Sequence, residues 1–350
     1  MSNKETNYDQ MKYFAPLAII ILLLTGLEYS SYAQQIHFSQ AYSAHLTLNP
    51  ANTGRHNGDW QAVGIFRQQG QSLSNDYQTS YFSFEYPIYI KEEKLDAGIY
   101  YSRDNSAGNT FPVDKVNISA GHGIFLNHLS YLHAGVQLAY VQKQIKMNGL
   151  SFPDQYNRDI GGFDPTQATQ EQLENNRTSY LDAGFGLVYA RTITTGIISA
   201  GYSLQQINRP KESFFGIDQS LPMNHIWHAK GDIGINKKIF LVPALIVMHT
   251  GNNNMSLIGL NLGYNLDKWL NQHNSIITGI HMRNSTLKES RSLIFSAGTN
   301  WQYWTFMLAF DTDISKSVSS STTGSGLEFS LIYKLPSTSL TQKMIQWERY

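Results

Sequence analysis

The feature that most constrains this chain is a two-residue alternation of side chains that recurs along most of its length. In residues 180–190, Leu181, Phe185 and Tyr189 share one set of alternate positions with other apolar residues, while Asp182 and Gly184 share the other. Successive side chains of a strand point to opposite faces, so each segment has an apolar face and a face of glycine and polar groups. The alternation therefore predicts an all-β chain.

Fourteen segments of eight to twelve residues show this alternation. They centre on Gly64, Phe82, Ile99, Ser119, Val136, Phe185, Ser199, Ala229, Ala244, Leu260, Thr278, Phe295, Leu308 and Leu331. An even number suits a bacterial barrel with both termini in the periplasm, and about nine to eleven tilted residues cross the hydrocarbon layer. We predict a transmembrane antiparallel β-barrel of about 14 strands over residues 57–335, followed by a tail at 336–350.

The connections between these segments differ in length according to their parity. Connections after even segments are mostly tight, and those after odd segments include the longest, at residues 103–113, 146–179, 205–222 and 311–325. Short periplasmic turns and long external loops are typical of outer-membrane barrels. This segregation favours a barrel over the alternative, a secreted two-sheet sandwich whose strands also alternate.

Composition agrees with a barrel and excludes several classes of function. Charged residues make up 15% of the chain and aromatic residues 13%, with 27 glycines. The charges balance at 26 of each sign, so no net charge attracts the protein to nucleic acid. There is no cysteine, which excludes disulfides, cysteine–zinc sites and thiol catalysis.

Residues 1–33 have the pattern of a cleaved signal peptide. Lys12 precedes an apolar run of about fourteen residues, and Ser31 and Ala33 provide small side chains for cleavage. The alternative, a transmembrane anchor, needs about twenty apolar residues. Met11 is an alternative start, and no cysteine is present for lipid anchoring.

A search for catalytic or metal-binding groups finds no convincing constellation. The eleven histidines lack ligand spacing, and Asp311-Thr-Asp313 opens like a calcium loop without its later glycine and glutamate. Four carboxylates fall on polar strand faces, without a serine–histidine motif, at Glu85, Asp96, Asp182 and Glu328. We predict hydrogen bonding inside the barrel for them, no enzyme activity and no cofactor.

Several segments resemble the PorP/SprF family. Residues 38–54 are similar to its "FSQ…LNPA.AG" opening, 64–70 to its aromatic-Arg-x-Gln strand end, and 150–155 to its "FPDQ" loop. Phe310-Asp311 and residues 326–333 match its final hairpin, so the resemblance covers about 35–335. The chain departs from the family at Asn52-Thr53 and in its tail.

The resemblance implies an outer-membrane component of type IX secretion and, in many members, of gliding motility. Its implied partners are a large secreted adhesin or the C-terminal sorting domain of that adhesin, together with periplasmic components of the machinery and outer-membrane lipid. The family is not known for catalysis. The alternative function is a substrate-specific outer-membrane porin or transporter, and a barrel enzyme is a third reading without a visible catalytic triad.

Two groups of residues are candidates for function. Residues 34–56 lack clean alternation, so we expect them to enter the lumen or lie beneath its periplasmic mouth; a disordered periplasmic tail is the alternative. The lumen candidates are Phe38, Gln40, Asn49, Pro50, Asp182 and Glu328. The candidates for partner binding on long outer loops are Phe152, Asp154, Phe163, Phe214, Phe215 and Ile217.

Overall fold

The structure is a computed structural model that describes residues 37–56, 58–70, 77–90, 93–106, 110–146, 150–164, 166–167, 176–212, 219–266, 274–286, 290–314 and 325–335. The predicted signal peptide (1–33) and tail (336–350) lie outside these residues. Within the described parts, no helix has the length and apolar character needed to cross a membrane.

Fourteen antiparallel strands form a closed barrel in which each strand pairs with its neighbours in sequence. They are β1 (Trp60–Gln69), β2 (Tyr77–Ile90), β3 (Glu93–Ser106), β4 (Phe111–Phe125), β5 (Ser130–Gln144), β6 (Arg177–Ile193), β7 (Gly196–Gln205), β8 (Asn224–Gly234), β9 (Ile239–Thr250), β10 (Asn253–Asn265), β11 (Ser275–Ser285), β12 (Ser290–Trp301), β13 (Trp304–Asp313) and β14 (Gly326–Leu335). The ring closes between β1 and β14, from Trp60 opposite Leu335 to Gln69 opposite Gly326. The predicted fold is confirmed, and every predicted centre lies in its strand.

The two faces of each strand differ as the alternation predicts. In β6, Leu181 and Phe185 are exposed on the outer surface, whereas Asp182 and Val188 are buried inside. Because the outer face is apolar on strand after strand, its natural surroundings are lipid acyl chains.

Aromatic rings gather on the outer surface where β1, β13 and β14 begin or end. The Tyr333 ring lies 5.0 Å from that of Trp60 and 4.5 Å from that of Trp304. Such rings are enriched at membrane–water interfaces, because they combine an apolar body with a polar edge.

The two ends of the barrel differ in their connections. We call the end where β1 begins the short-turn end, and the opposite end the long-connection end. Residues 145–176 and 206–223 connect strands at the long-connection end, whereas residues 126–129 and 302–303 turn at the short-turn end.

Three connections depart from the expected lengths. The expected loop at 103–113 is shorter, because β3 and β4 continue to Ser106 and from Phe111. The two strands stay paired through polar residues here: Arg103 lies opposite Asp114 in the ladder and forms an ion pair with it at 3.5 Å. Residues 251–252 make a tight turn at the long-connection end, and residues 266–274 make a longer connection at the short-turn end.

Candidate functional site

The barrel encloses the segment that precedes its first strand, residues 37–56, which we call the lumen segment. The Tyr42 hydroxyl donates to the carbonyl oxygens of Ala229 in β8 and Leu245 in β9, at 2.7 and 2.9 Å. Only three residues later, His45 Nε2 lies 2.7 Å from Glu85 Oε1 in β2. Strands β2 and β9 stand on opposite sides of the ring. A short segment that contacts both must therefore lie inside it.

Local sequence gives the lumen segment a compact, turning shape. A single helical turn, α1 (His45–Leu48), is followed by a 3₁₀ turn at Pro50–Asn52. Asn49 caps the second turn, because its Oδ1 accepts from the Ala51 amide at 2.8 Å and Pro50 occupies the first position, where no amide donor is needed. Gly54 ends the turn at φ +73°, a conformation that favours glycine.

Asn49 also fixes the middle of the lumen segment to the wall. Its fully buried Nδ2 donates to the carbonyl oxygens of Leu187 and Tyr202, both at 3.1 Å, and lies 3.1 Å from His228 Nε2. These three residues belong to β6, β7 and β8. One amide therefore joins the lumen segment to three adjacent strands.

Glycines on the inner face provide the space for these contacts. A Cβ atom added to Gly135 would lie 2.3 Å from the Pro50 oxygen, and one added to Gly186 would lie 1.8 Å from Asn49 Oδ1. The polar-face glycines predicted from the alternation therefore form a groove that receives the lumen segment.

A buried ionic cluster holds the start of the lumen segment near the long-connection end. The Glu328 carboxylate accepts from the backbone amides of Ser39 and Gln40, each at 2.7 Å, and pairs with Arg67 at 3.3 Å. Asp311 Oδ2 accepts from Ser39 Oγ at 2.9 Å and pairs with Arg67 at 2.6 Å; Arg283 adds a further ion pair with it at 2.8 Å. Arg67 also donates to the Ser39 hydroxyl. We call Arg67, Arg283, Asp311 and Glu328 the latch cluster.

Phe38 adds an apolar anchor beside the latch cluster. Its ring meets that of Tyr81 edge-on, with centroids 5.6 Å apart, and it shares a buried cluster with Val63, Tyr100 and Ile332. Aromatic contacts of this kind stabilise by about 0.5–1.5 kcal/mol beyond the burial of area.

Glu85 holds the other end of the lumen segment. Its carboxylate accepts from the Gly54 amide at 2.8 Å and from Gln61 Nε2 at 3.2 Å, in addition to its contact with His45. Both ends of the lumen segment are thus bound by buried carboxylates of the wall.

The remaining predicted site residues lie elsewhere. Asp182 is buried in the wall, where it pairs with Lys115 at 2.9 Å and accepts from the Gln206 amide at 3.0 Å. Phe152 and Asp154 lie at a 3₁₀ turn in the long connection after β5, and Phe163 belongs to a small hairpin there. Phe214, Phe215 and Ile217 lie outside the described residues.

Arg67 and Asp311, which bind the start of the lumen segment, are not among the lumen candidates predicted from the sequence. Arg67 lies in the segment 64–70 that resembles the family, and the sequence predicts a loop at Asp311, whereas Asp311 lies in β13. Among the described residues, no group of three or more histidine, aspartate or glutamate side chains could hold a metal ion.

Two solved structures with a similar fold are described as hydrocarbon channels. The chain aligns with a TodX deltaS2S3 mutant, a monoaromatic hydrocarbon channel, at 10% identity and a TM-score of 0.52, covering 83% of this chain and 93% of that one. It aligns with the CymD monoaromatic hydrocarbon channel at 9% identity and a TM-score of 0.51, covering 85% and 94%. At this identity, the likeness concerns the fold alone.

Comparison with protein families identifies the chain more closely. No curated protein matches its sequence. The family model described as "Type IX secretion system membrane protein PorP/SprF" matches residues 30–333, which include the lumen segment and nearly all of the barrel. This integral outer-membrane barrel therefore belongs to the PorP/SprF family of type IX secretion system membrane proteins.

Proposed function

We propose that this barrel is a closed, non-enzymatic component of type IX secretion that binds a large secreted surface protein. The partner is an adhesin or its C-terminal sorting domain, which it anchors or helps to export. In this proposal the long-connection end faces outward and meets the adhesin, whereas the short-turn end meets periplasmic components. The parity of connection lengths supports this orientation.

The observation that carries the proposal is the filled lumen. Two cavities next to the lumen segment have volumes of about 40 Å³ each, whereas a cavity that binds benzene measures about 150 Å³. With its interior occupied, the barrel offers its two ends as binding surfaces. That arrangement favours a role in handling other proteins.

A small hairpin supports partner binding at the long-connection end. Residues 156–163, which we call the outer hairpin, place Tyr156 opposite Phe163 with ring centroids 5.6 Å apart. Tyr156, Ile160 and Phe163 are 49%, 64% and 51% exposed. Large apolar side chains held on an ordered loop are suited to a protein partner.

The next long connection, residues 206–223, is tied to the end of β5, the strand that leads into the connection with the outer hairpin. Lys143 Nζ lies 2.7 Å from Glu212 Oε2, and Glu212 belongs to a two-residue ladder with Gln219. The ion pair therefore joins the second long connection to the strand from which the first one begins.

A substrate-specific transporter is the second candidate, favoured by the fold shared with hydrocarbon channels. For such a function the lumen segment has to leave or rearrange. Solute-dependent conductance without any effect on secretion would identify this function.

The proposed function is tested by removing the apolar side chains of the outer hairpin. We expect the triple variant Tyr156→Ser, Ile160→Ser, Phe163→Ser to lose most surface display of a type IX cargo, because a central aromatic anchor contributes about 2 kcal/mol or more to an interface. Display is measured on whole cells with a tagged cargo, and barrel integrity by heat-dependent gel mobility.

The matched control is Ile314→Ser, which removes an exposed apolar residue from another long connection. It is expected to display cargo as the unaltered protein does. Normal display by an intact triple variant would contradict the proposal, and selective solute conductance would then favour the transporter.

A further inference from the structure

Four ring side chains from three adjacent strands form a patch on the outer surface of the barrel, close to the long-connection end. Within β8, Ile226 and His228 are buried inside the barrel, so the alternate positions 225 and 227 face outward. Their partners across the two neighbouring ladders are rings as well. We call these four residues the outer ring patch: Tyr202 in β7, His225 and Trp227 in β8, and His249 in β9.

The rings of the outer ring patch contact one another and are held by hydrogen bonds. The rings of His225 and Trp227 are stacked, with an interplanar angle of 13° and centroids 5.8 Å apart. The Tyr202 ring lies 5.5 Å from that of Trp227, and the His249 ring lies 6.2 Å from that of His225. The Tyr202 hydroxyl lies 2.9 Å from His225 Nδ1, and His249 Nδ1 donates to Asn254 Oδ1 at 2.6 Å. A surface fixed in this way loses little freedom when a ligand binds.

The outer ring patch offers mixed hydrogen-bonding groups and contains no permanently charged side chain. Because Asn254 Oδ1 accepts the Nδ1 proton of His249, the Nε2 atom of the neutral His249 ring is an acceptor. Trp227 Nε1 is a donor, and His225 contributes its own Nε2 atom. Within the described parts of the chain, no hydrogen bond engages these three nitrogen atoms. The patch can therefore both donate to a ligand and accept from it.

The surface next to the outer ring patch, toward the middle of the barrel, is apolar and faces lipid. Leu245 in β9 lies opposite Ile258 in β10, and their side chains are 41% and 52% exposed. Leu245 shares the outer face with His249, four positions away along β9, a distance of about 13 Å. A ligand that covers both surfaces therefore has a polar head and an apolar body, as a membrane lipid has.

We propose that the outer ring patch binds the saccharide headgroup of a glycolipid whose acyl chains lie against Leu245 and Ile258. Each hydroxyl group of a sugar donates and accepts, which matches the mixed nitrogen atoms of the patch. The C–H face of a sugar ring also packs against aromatic rings. A phosphate headgroup only accepts hydrogen bonds and is bound best by arginine or lysine, neither of which belongs to the patch. The chemistry therefore selects a neutral sugar over an anionic phospholipid.

The inference rests on the proposed orientation of the barrel, in which the long-connection end faces outward. Glycolipids are concentrated in the outer leaflet of an outer membrane, so the outer ring patch meets them only in that orientation. Residues 206–223 connect the end of β7 to the start of β8. A glycolipid on the patch thus lies at the base of that long connection.

The test measures lipid retention by native mass spectrometry on the full barrel in phosphatidylcholine nanodiscs. The probe is dioleoyl-glucosylglycerol at increasing fractions, and the reference is phosphatidylglycerol with the same acyl chains. We expect saturable retention of the glucolipid in preference to phosphatidylglycerol. Trp227→Leu and His249→Leu should each weaken this retention about three- to tenfold, because each removes one neutral hydrogen bond.

The matched control is Trp304→Leu, because Trp304 at the short-turn end and Trp227 are both 39% exposed on the outer surface. The control should retain the glucolipid as the unaltered barrel does. Equal retention of the two lipids by the unaltered barrel would overturn the site, as would equal losses in Trp227→Leu and Trp304→Leu. A preference for phosphatidylglycerol that His249→Leu abolishes would also overturn it, in favour of a phosphate headgroup.

Heat-dependent gel mobility checks that each variant barrel is folded, and His249→Leu keeps the test decisive if Trp227→Leu fails to fold. The nanodiscs carry each lipid in both leaflets, so the result depends neither on the orientation of the barrel nor on cargo display. Failure of the glycolipid site would therefore leave the proposed role in secretion standing, and failure of cargo display would leave the site standing.

Discussion

Gly135 in β5 has no side chain, and this absence allows the lumen segment to approach the strand closely. At Gly135, a Cβ atom would lie 2.3 Å from the Pro50 oxygen and 2.5 Å from the Ala51 nitrogen. Both are backbone atoms, which cannot rotate away, so the whole turn would have to shift.

We therefore expect Gly135→Ala to destabilise the docked lumen segment by about 1–3 kcal/mol, the usual range for overpacking. The natural chain has no cysteine, so a single Ser43→Cys reporter measures exposure of the segment by its rate of thiol labelling. Gly64→Ala is the matched control, since nothing lies within 4 Å of its Cβ position. Equal labelling of the two variants would contradict this account.

The negative charge of Glu328 is the second feature that we expect to hold the lumen segment in place. Glutamine in its place keeps the size of the side chain but loses the charge that faces Arg67 and the amides of Ser39 and Gln40. A hydrogen bond to a charged group contributes about 1.5–3 kcal/mol, so Glu328→Gln should raise Ser43→Cys labelling about ten- to a hundredfold.

The control for this substitution is Glu212→Gln, which removes the same charge from a partly buried ion pair with Lys143, outside the latch cluster. Its labelling rate should match that of the unaltered barrel. If Glu328→Gln labels no faster than Glu212→Gln, the latch cluster does not retain the lumen segment.

Docking of the lumen segment to the barrel wall depends on pH, because the segment carries two buried histidines. Burial lowers the pKa of His56 to about 4. The charge of Glu85 raises this pKa, whereas Lys334, Lys94 and His45 lower it further. Burial also lowers the pKa of His37 to about 3, helped by Arg283 and Arg67. Both rings are therefore neutral in the docked segment at neutral pH.

A released histidine has a pKa near 6.5, so protonation favours release as the pH falls below that value. Between pH 7 and pH 5, His56 alone should weaken docking by about 2 kcal/mol, and Ser43→Cys labelling should rise accordingly. His56→Gln should remove this share of the pH dependence and leave that of His37. The same pH profile in both proteins would refute the assignment.

The strands were predictable from the sequence, because their alternation is a local property. Leu181 and Asp182 point to opposite faces wherever β6 is placed, so periodicity alone assigns them. The ends of β3 and β4 were not predictable, because the two strands stay paired through polar residues, such as Arg103 opposite Asp114, that resemble a loop in sequence.

The latch cluster could not be predicted from the sequence, because it forms only when the whole barrel closes. Arg67 and Asp311 are 244 positions apart, and Arg67 and Glu328 are 261 apart. They meet only because β1 closes against β14, and no local pattern reports that closure. For the same reason, the lack of alternation in residues 34–56 suggested a segment outside the wall but could not identify its partners.

The whole barrel should conduct poorly while the lumen segment is in place. Deleting residues 38–54 removes Phe38, Asn49 and the partners of the latch cluster, and we expect single-channel conductance in planar bilayers to rise severalfold, since a barrel of fourteen strands is wide enough to hold water. Gly64→Ala should conduct like the unaltered barrel. Unchanged conductance after the deletion would mean that the lumen segment does not block the pore.

The position of Glu328 has a consequence for biogenesis. Ser39 and Gln40 of the lumen segment bind β14, the last strand of the barrel, across 289 and 288 positions. A barrel without β14 would lack Glu328 and Ile332, so we expect it to hold the start of the lumen segment less firmly. We therefore expect closure of the ring by β14 and closure of the lumen to occur together.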